Sequence, residues 1–109
     1  MKGEILRVLD AARMVVDDIY ALLDSRRVPD AHQLRTAAGS IPANIREAYG
    51  RDAGPDRKRF LGYARGSAEE TNERLRVAYA GNFVPVRRYW TNHHRLVTIV
   101  RMLDSLLEH

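Results

Sequence analysis

A chain of 109 residues with a formal charge of +4 is long enough for one domain with its own core and too short for two. Its hydrophobic fraction of 45% and charged fraction of 29% suit a globular protein, and the absence of cysteine excludes disulfides, thiolate metal ligands and thiol nucleophiles, in keeping with a reducing cytoplasm. No apolar run approaches the roughly 18 residues of a membrane span, and Glu4 and Asp10 stand where a secretory leader is apolar, so neither membrane anchor nor leader is expected.

From residue 4 to 24, apolar side chains recur at Ile5, Val8, Ala12, Val15, Ile19 and Leu22, with a second row at Leu6, Leu9, Val16, Tyr20 and Leu23. Spacings of three and four predict a helix, and the doubled row predicts a face wide enough for more than one neighbour. Pro29 stops the pattern, and Asp30 is placed to cap the next helix, predicted over residues 31–49. There Leu34, Ala37, Ala38, Ile41, Ile45 and Ala48 share a face whose small residues admit a close neighbour. Pro42 interrupts it, lacking an N–H and crowding the preceding turn at a cost of about 3 kcal/mol. Because the apolar phase continues from Ile41 to Ile45 without a slip, the pattern predicts one helix kinked near Pro42 rather than two. The Ser40 hydroxyl is expected to bond back to a carbonyl at Thr36 or Ala37.

Gly50 marks the end of that helix and Pro55 the start of a third, predicted over residues 55–80. Its apolar face is narrow: Phe60, Ala64, Ser67, Ala68, Thr71, Leu75 and Ala78. Glu69, Glu70, Glu73, Arg74 and Arg76 read as a solvated face with charges paired one turn apart. Gly81 and Pro85 repeat the stop and start before a fourth helix over residues 85–106, carrying Tyr89, His93, Leu96, Val100 and Leu103 in one row with Trp90, Val97 and Ile99 alongside. Four helices, each about 30 Å long and joined by short connections, predict an all-α antiparallel up-and-down four-helix bundle, one domain over residues 1–106. Residues 107–109 read as the junction before an engineered histidine tag.

The middle of the chain carries a more particular pattern. Leu34-Arg35, Ala37-Ala38, Ser40-Ile41-Pro42, Asn44-Ile45, Glu47 and Gly50-Arg51, then Arg59-Phe60-Leu61 and Ala64-Arg65-Gly66-Ser67, resemble the four-helix-bundle family of bacterial proteins encoded in intervening sequences of 23S ribosomal RNA genes. The likeness covers half the chain directly, and the flanking helices match in number and length. That family is similar to the accessory variability determinant proteins of diversity-generating retroelements. The resemblance implies a homopentamer without enzymatic activity, with a basic surface for RNA, DNA or a reverse transcriptase. Three positions depart from the family pattern: Arg46 stands where a small residue is usual, Ala48 where glycine is, and Arg57 where an aromatic is.

Lys2 and Lys58 are the only lysines among the 18 cationic side chains. Guanidinium forks pair two-pronged with carboxylate and phosphate, so this bias favours an anionic partner; the rival explanation is arginine-rich codon usage, with the arginines serving the chain's own 14 acids. Up-and-down connectivity brings Arg26, Arg27, Arg35, Arg87 and Arg88 to one pole, and Arg51, Arg57, Lys58 and Arg59, with Lys2, Arg7 and Arg101, to the other. The first five, with Arg46, Arg51, Arg57, Lys58 and Arg59, are the candidate phosphate contacts, and five copies around an axis would turn each cluster into a ring. Ser40, Asn44, Glu47, Arg65 and Glu70 are expected to form a structural polar network, since buried charges persist only when paired.

No catalytic constellation or cofactor motif is visible. His93 and His94 are adjacent, hence about 100° apart on a helix, and His32 is remote, so no metal site is expected; His93 is expected to hydrogen-bond between helices or protomers. Phe83, Tyr89 and Trp90, beside Arg87 and Arg88, either seal a bundle end or stack on bases. The functional expectation is a non-enzymatic protein that binds nucleic acid or a nucleic-acid-handling protein. The alternative is a structural or adaptor protein acting only through protein–protein assembly.

Overall fold

The structure, a computed structural model, describes residues 1–108. Its helices are α1 (Lys2–Ser25), α2 (Ala31–Tyr49), α3 (Pro55–Ala80) and α4 (Val86–Leu107), each bound within two residues of the sequence expectation. No strand occurs among the described residues. Each helix packs on its chain neighbours and α1 closes on α4, while the diagonal pairs stay apart. The result is an all-α four-helix bundle of 42 × 21 × 18 Å, one helix long, since the 26 residues of α3 rise about 39 Å.

The core follows most of the predicted rows: Ile5, Val8, Val15, Ile19 and Leu22 of α1, Leu34, Ile41 and Ile45 of α2, Leu61 and Leu75 of α3, and Leu96, Ile99 and Leu103 of α4 are all buried, whereas Phe60, His93 and Val100 are half-buried and Leu6 and Trp90 are exposed. Each of the buried side chains contributes about 1.5 to 3 kcal/mol of hydrophobic stabilisation. The α2–α3 pair is the most extensively packed, because Ala37, Ala38, Ala64 and Ala68 let the two backbones approach. Among the described residues, no helix is long and apolar enough to cross a membrane.

α2 runs unbroken through Pro42, which is itself buried. The Ser40 hydroxyl donates to the Thr36 carbonyl at 2.9 Å, where it was expected. The carbonyl that Pro42 leaves without its N–H is that of Ala38, however, so the Ser40 bond adds a second donor to the ladder and does not mend the gap.

The caps differ from expectation in detail. Asp30 does occupy the N-cap of α2, but in a left-handed conformation (φ 58°, ψ 30°) with no side-chain cap; its carbonyl instead accepts from the N–H groups of Gln33 at 3.0 Å and Leu34 at 3.2 Å. Gly81 ends α3 at φ −82°, and the left-handed residue is the next one, Asn82 (φ 69°). The N–H groups of Asn82 and Phe83 reach back to the carbonyls of Tyr79 and Ala78, both at 2.9 Å, the paired bonds of a Schellman turn. Glycine serves at position 81 because an added Cβ would lie 2.9 Å from the Phe83 ring. At the far end, Leu107 closes α4 and packs against the core, Glu108 caps it, and His109, the last of the three residues read as a tag junction, lies outside the described residues.

Candidate nucleic-acid interface

At one pole the α1–α2 and α3–α4 connections lie side by side, joined where Arg26 Nη1 donates to the Phe83 carbonyl at 3.5 Å. Two of the five arginines predicted there are neutralised. Arg35 pairs with Asp24 at 2.8 Å and lies 4.9 Å from the Tyr20 ring centre; Arg88 pairs with Asp18 at 2.9 Å. Arg27 and Arg87 are exposed and form no ion pair among the described residues. At the opposite pole two arginines share carboxylates. Arg51 bridges Glu47 and Asp56, each at 3.1 Å, Arg59 reaches Asp56 at 2.6 Å, and both guanidinium groups lie about 5 Å from the Phe60 ring centre. Lys58 is exposed there without an ion-pair partner among the described residues.

Arg57 does not belong to this surface. It is only 6% exposed, and its Nε donates to the Ala48 carbonyl at 3.2 Å while Nη2 donates to the Arg51 carbonyl at 2.5 Å. It therefore gives a donor to the Arg51 carbonyl, just beyond α2, and a second donor to the Ala48 carbonyl, which also accepts from the Arg51 N–H at 3.2 Å. Arg46 lies at neither pole. It lines a groove between α1 and α2 with Arg13, Asp17, Tyr20, Gly39 and Pro42, and Arg13 is a basic residue that sequence reasoning passed over, because only the pairing of α1 with α2 sets it opposite Arg46.

The expected polar network is not one network. Ser40 and Asn44 bond to carbonyls of their own helix, Asn44 Nδ2 donating to the Ser40 carbonyl at 2.9 Å, and Glu47 is exposed on Arg51. Arg65 ties α3 to Asp104 of α4 and to Glu69 at 2.7 Å. Glu70 holds Arg74 at 2.9 Å, and Arg74 in turn contacts Gln33 of α2. Five residues along a helix turn about 140°, so Arg65 and Glu70 face different neighbours.

A polar cluster of another composition does join α1 to α4. Asn92 is fully buried; its Nδ2 donates to Asp18 Oδ2 at 2.6 Å and to the Arg88 carbonyl at 2.9 Å. Burial pushes the Asp18 carboxyl up, but hydrogen bonds from Asn92 and Arg88 and the charges of Arg88 and Arg95 outweigh it, leaving the pKa below its ordinary value. The legible signal was an amide three residues after Tyr89 and four before Leu96, within an otherwise apolar row.

Between α3 and α4 the aromatic side chains form a column. Tyr79 and Tyr89 stack at 4.1 Å with planes 4° apart, and His93 continues the stack 5.7 Å from Tyr89. Trp90 stands nearly perpendicular to all three, 6.3 Å from Tyr79, 4.9 Å from Tyr89 and 5.4 Å from His93. His93 Nδ1 lies 3.1 Å from Asn72 Oδ1, the interhelical hydrogen bond expected of it. Phe83 is apart from the column, lining a cavity of about 370 Å³ with Pro29, Leu34, Val77 and Ala78.

The family model described as 23S rRNA-intervening sequence protein matches residues 4–105. The chain belongs to this family. The match extends from α1 to α4, beyond the α2–α3 segments that carry the sequence resemblance. The intervening-sequence fold is also seen in the crystal structure of a protein with unknown function from the S23 ribosomal protein family of Bacteroides thetaiotaomicron. It matches with a TM-score of 0.89 over 97% of this chain and 99% of that chain, at 22% sequence identity, a likeness that shows a shared fold. Comparison with the curated proteins finds no match.

Proposed function

We propose that this intervening-sequence protein is a non-enzymatic cytoplasmic bundle that contacts the phosphate backbone of RNA or DNA, alone or with a nucleic-acid-handling protein. One observation carries the reading: Arg27, Arg46, Lys58 and Arg87, from separate parts of the chain, are exposed and have no carboxylate partner among the described residues. Their charge remains available to an anion, whereas Arg35, Arg51, Arg59 and Arg88 are paired within the chain. Such contacts position a strand without reading its bases. The resemblance read from the sequence, to accessory variability determinant proteins, extends this proposal to a homopentamer with a reverse transcriptase as partner. In a pentamer the unpaired cations recur around the axis and their fields add.

The test is fluorescence anisotropy with labelled RNA, duplex DNA and single-stranded DNA at about 50 and 200 mM salt, on protein whose mass is set by light scattering. Binding is expected to weaken with salt, with a slope of about 0.9 per duplex phosphate contacted. Affinity that is the same at both salt concentrations overturns the phosphate reading. The adaptor reading is favoured by a different observation, the exposure of Met14 (56%), Tyr63 (51%) and Val86 (59%). It predicts a defined oligomer that binds none of the three nucleic acids.

A further inference from the structure

The aromatic column between α3 and α4 reaches the surface at Trp90, which is 45% exposed. Its plane is set by near-perpendicular contacts with Tyr79, Tyr89 and His93, so the ring is held in place before anything binds. On α4, positions 87, 90, 94, 97 and 101 are spaced by three and four residues, which puts Arg87, Trp90, His94, Val97 and Arg101 in one stripe about 21 Å long. Arg87, His94 and Arg101 are exposed, and His94 lies 6.0 Å from Trp90 with planes 33° apart. Neither arginine has an ion-pair partner among the described residues. Glu69, which shares a shallow groove with Arg101, is held by Arg65 at 2.7 Å.

An indole with an unneutralised guanidinium at each end of its stripe matches one chemistry in particular. A nucleic-acid strand offers flat π-faces at intervals between phosphates, and base–aromatic stacking tolerates any sequence. The faces are available only where the bases are unpaired, since a duplex keeps them inside its own stack. An apolar partner helix, by contrast, would leave the arginines without a counter-charge.

We infer that the Arg87–Trp90–His94–Arg101 stripe is a binding site for single-stranded nucleic acid, with an unpaired base stacked on Trp90, an adjacent phosphate on Arg87 and a phosphate further along the same strand on Arg101. This rests on the phosphate-contact reading and adds to it a preference for unpaired strands.

Trp90 is the only tryptophan, so its emission reports on the site directly. The probes are an oligothymidylate and an oligouridylate of about twelve nucleotides, and a duplex of equal length, each added to the full chain in low salt. One or both single strands are expected to quench Trp90 emission, and the two arms show whether DNA, RNA or either is taken; the duplex leaves it unchanged. Trp90→Ala is expected to weaken single-strand binding by about 5- to 100-fold, with duplex affinity unchanged and far-UV circular dichroism intact. Trp90→Phe should keep most of the single-strand affinity, and Arg87→Gln should lower the salt slope by about one. Salt-sensitive binding that is equal for single strand and duplex, and indifferent to Trp90→Ala, overturns the stacking site and leaves the phosphate reading standing. No binding of any probe overturns both. A Trp90 emission that acrylamide cannot quench in the free protein also overturns the site, because another copy of the chain then covers the ring.

Discussion

Asn92 is an amide in a row otherwise built to be apolar, and its tolerance depends on one carboxylate. Asp18 accepts from Asn92 at 2.6 Å and pairs with Arg88 at 2.9 Å, while Asn92 Oδ1 has no hydrogen-bond partner in the protein. Removing the acceptor would leave a buried donor unsatisfied, so Asp18→Ala is expected to lower stability by about 1 to 3 kcal/mol in urea unfolding at neutral pH. The pH dependence follows from the lowered folded pKa. As pH falls, the unfolded chain takes up the proton first, near the ordinary 3.8. The Asp18 contribution is therefore complete above that value and is lost as pH falls through the lower folded one. The stability gap between the wild type and Asp18→Ala should narrow over that interval. A gap that stays constant below pH 3.8 would mean that the carboxylate charge plays no part.

Glycines that look alike in sequence do different work in their helices. A Cβ at Gly39 of α2 would lie 2.5 Å from the Tyr20 hydroxyl, which itself donates to the Arg35 carbonyl at 3.4 Å; a Cβ at Gly62 or Gly66 of α3 would meet nothing within 4 Å. Gly62→Ala and Gly66→Ala should each stabilise the protein by about 0.5 to 1 kcal/mol through helix propensity. Gly39→Ala should give no such gain alone, and should recover it in a Tyr20→Phe background, where the next ring atom is 3.8 Å away. Thermal melts of these single variants, of Tyr20→Phe and of the double variant check this, and additivity of Gly39→Ala with Tyr20→Phe would remove the steric argument. The end of α2 depends on a side chain from the next helix. Arg57→Met should cost about 1 to 3 kcal/mol, because the Arg51 carbonyl loses its side-chain donor and the Ala48 carbonyl keeps only the Arg51 N–H. It should leave the salt dependence of nucleic-acid binding unchanged, since the guanidinium is buried; a reduced salt slope in this variant would return Arg57 to the interface.

At the scale of the whole molecule, the +4 charge is less informative than its distribution. Near one pole, Arg35 and Arg88 are cancelled by Asp24 and Asp18 while Arg27 and Arg87 stay free; at the other, Asp56 is shared by Arg51 and Arg59, whereas Lys2, Arg7, Lys58 and Arg101 are exposed without an ion-pair partner among the described residues. If phosphates are met by the free cations, Arg27→Gln and Lys58→Gln should each reduce the salt slope by about one, with affinity lowered alike for all sequences. Arg35→Gln should change stability more than binding. Equal effects of all three substitutions would show that ion pairing within the chain does not select the interface.

The helices and their order follow from local pattern, because spacings of three and four and the Gly–Pro breaks act over a few residues, and short connections leave few ways to arrange four helices. The α2–α3 resemblance was legible for a similar reason: a proline inside an apolar helical row is a local pattern. Which cations remain free depends instead on the packed bundle. Arg57 and Lys58 are adjacent in the chain, yet one is buried against carbonyls of α2 and the other is exposed. Arg65 and Glu70 lie close in sequence but face different helices, while Asp18 and Asn92, far apart in sequence, share a hydrogen bond. Charge pairing and burial depend on which faces meet across the bundle. That is settled by the packing of all four helices together, and no window of sequence contains it.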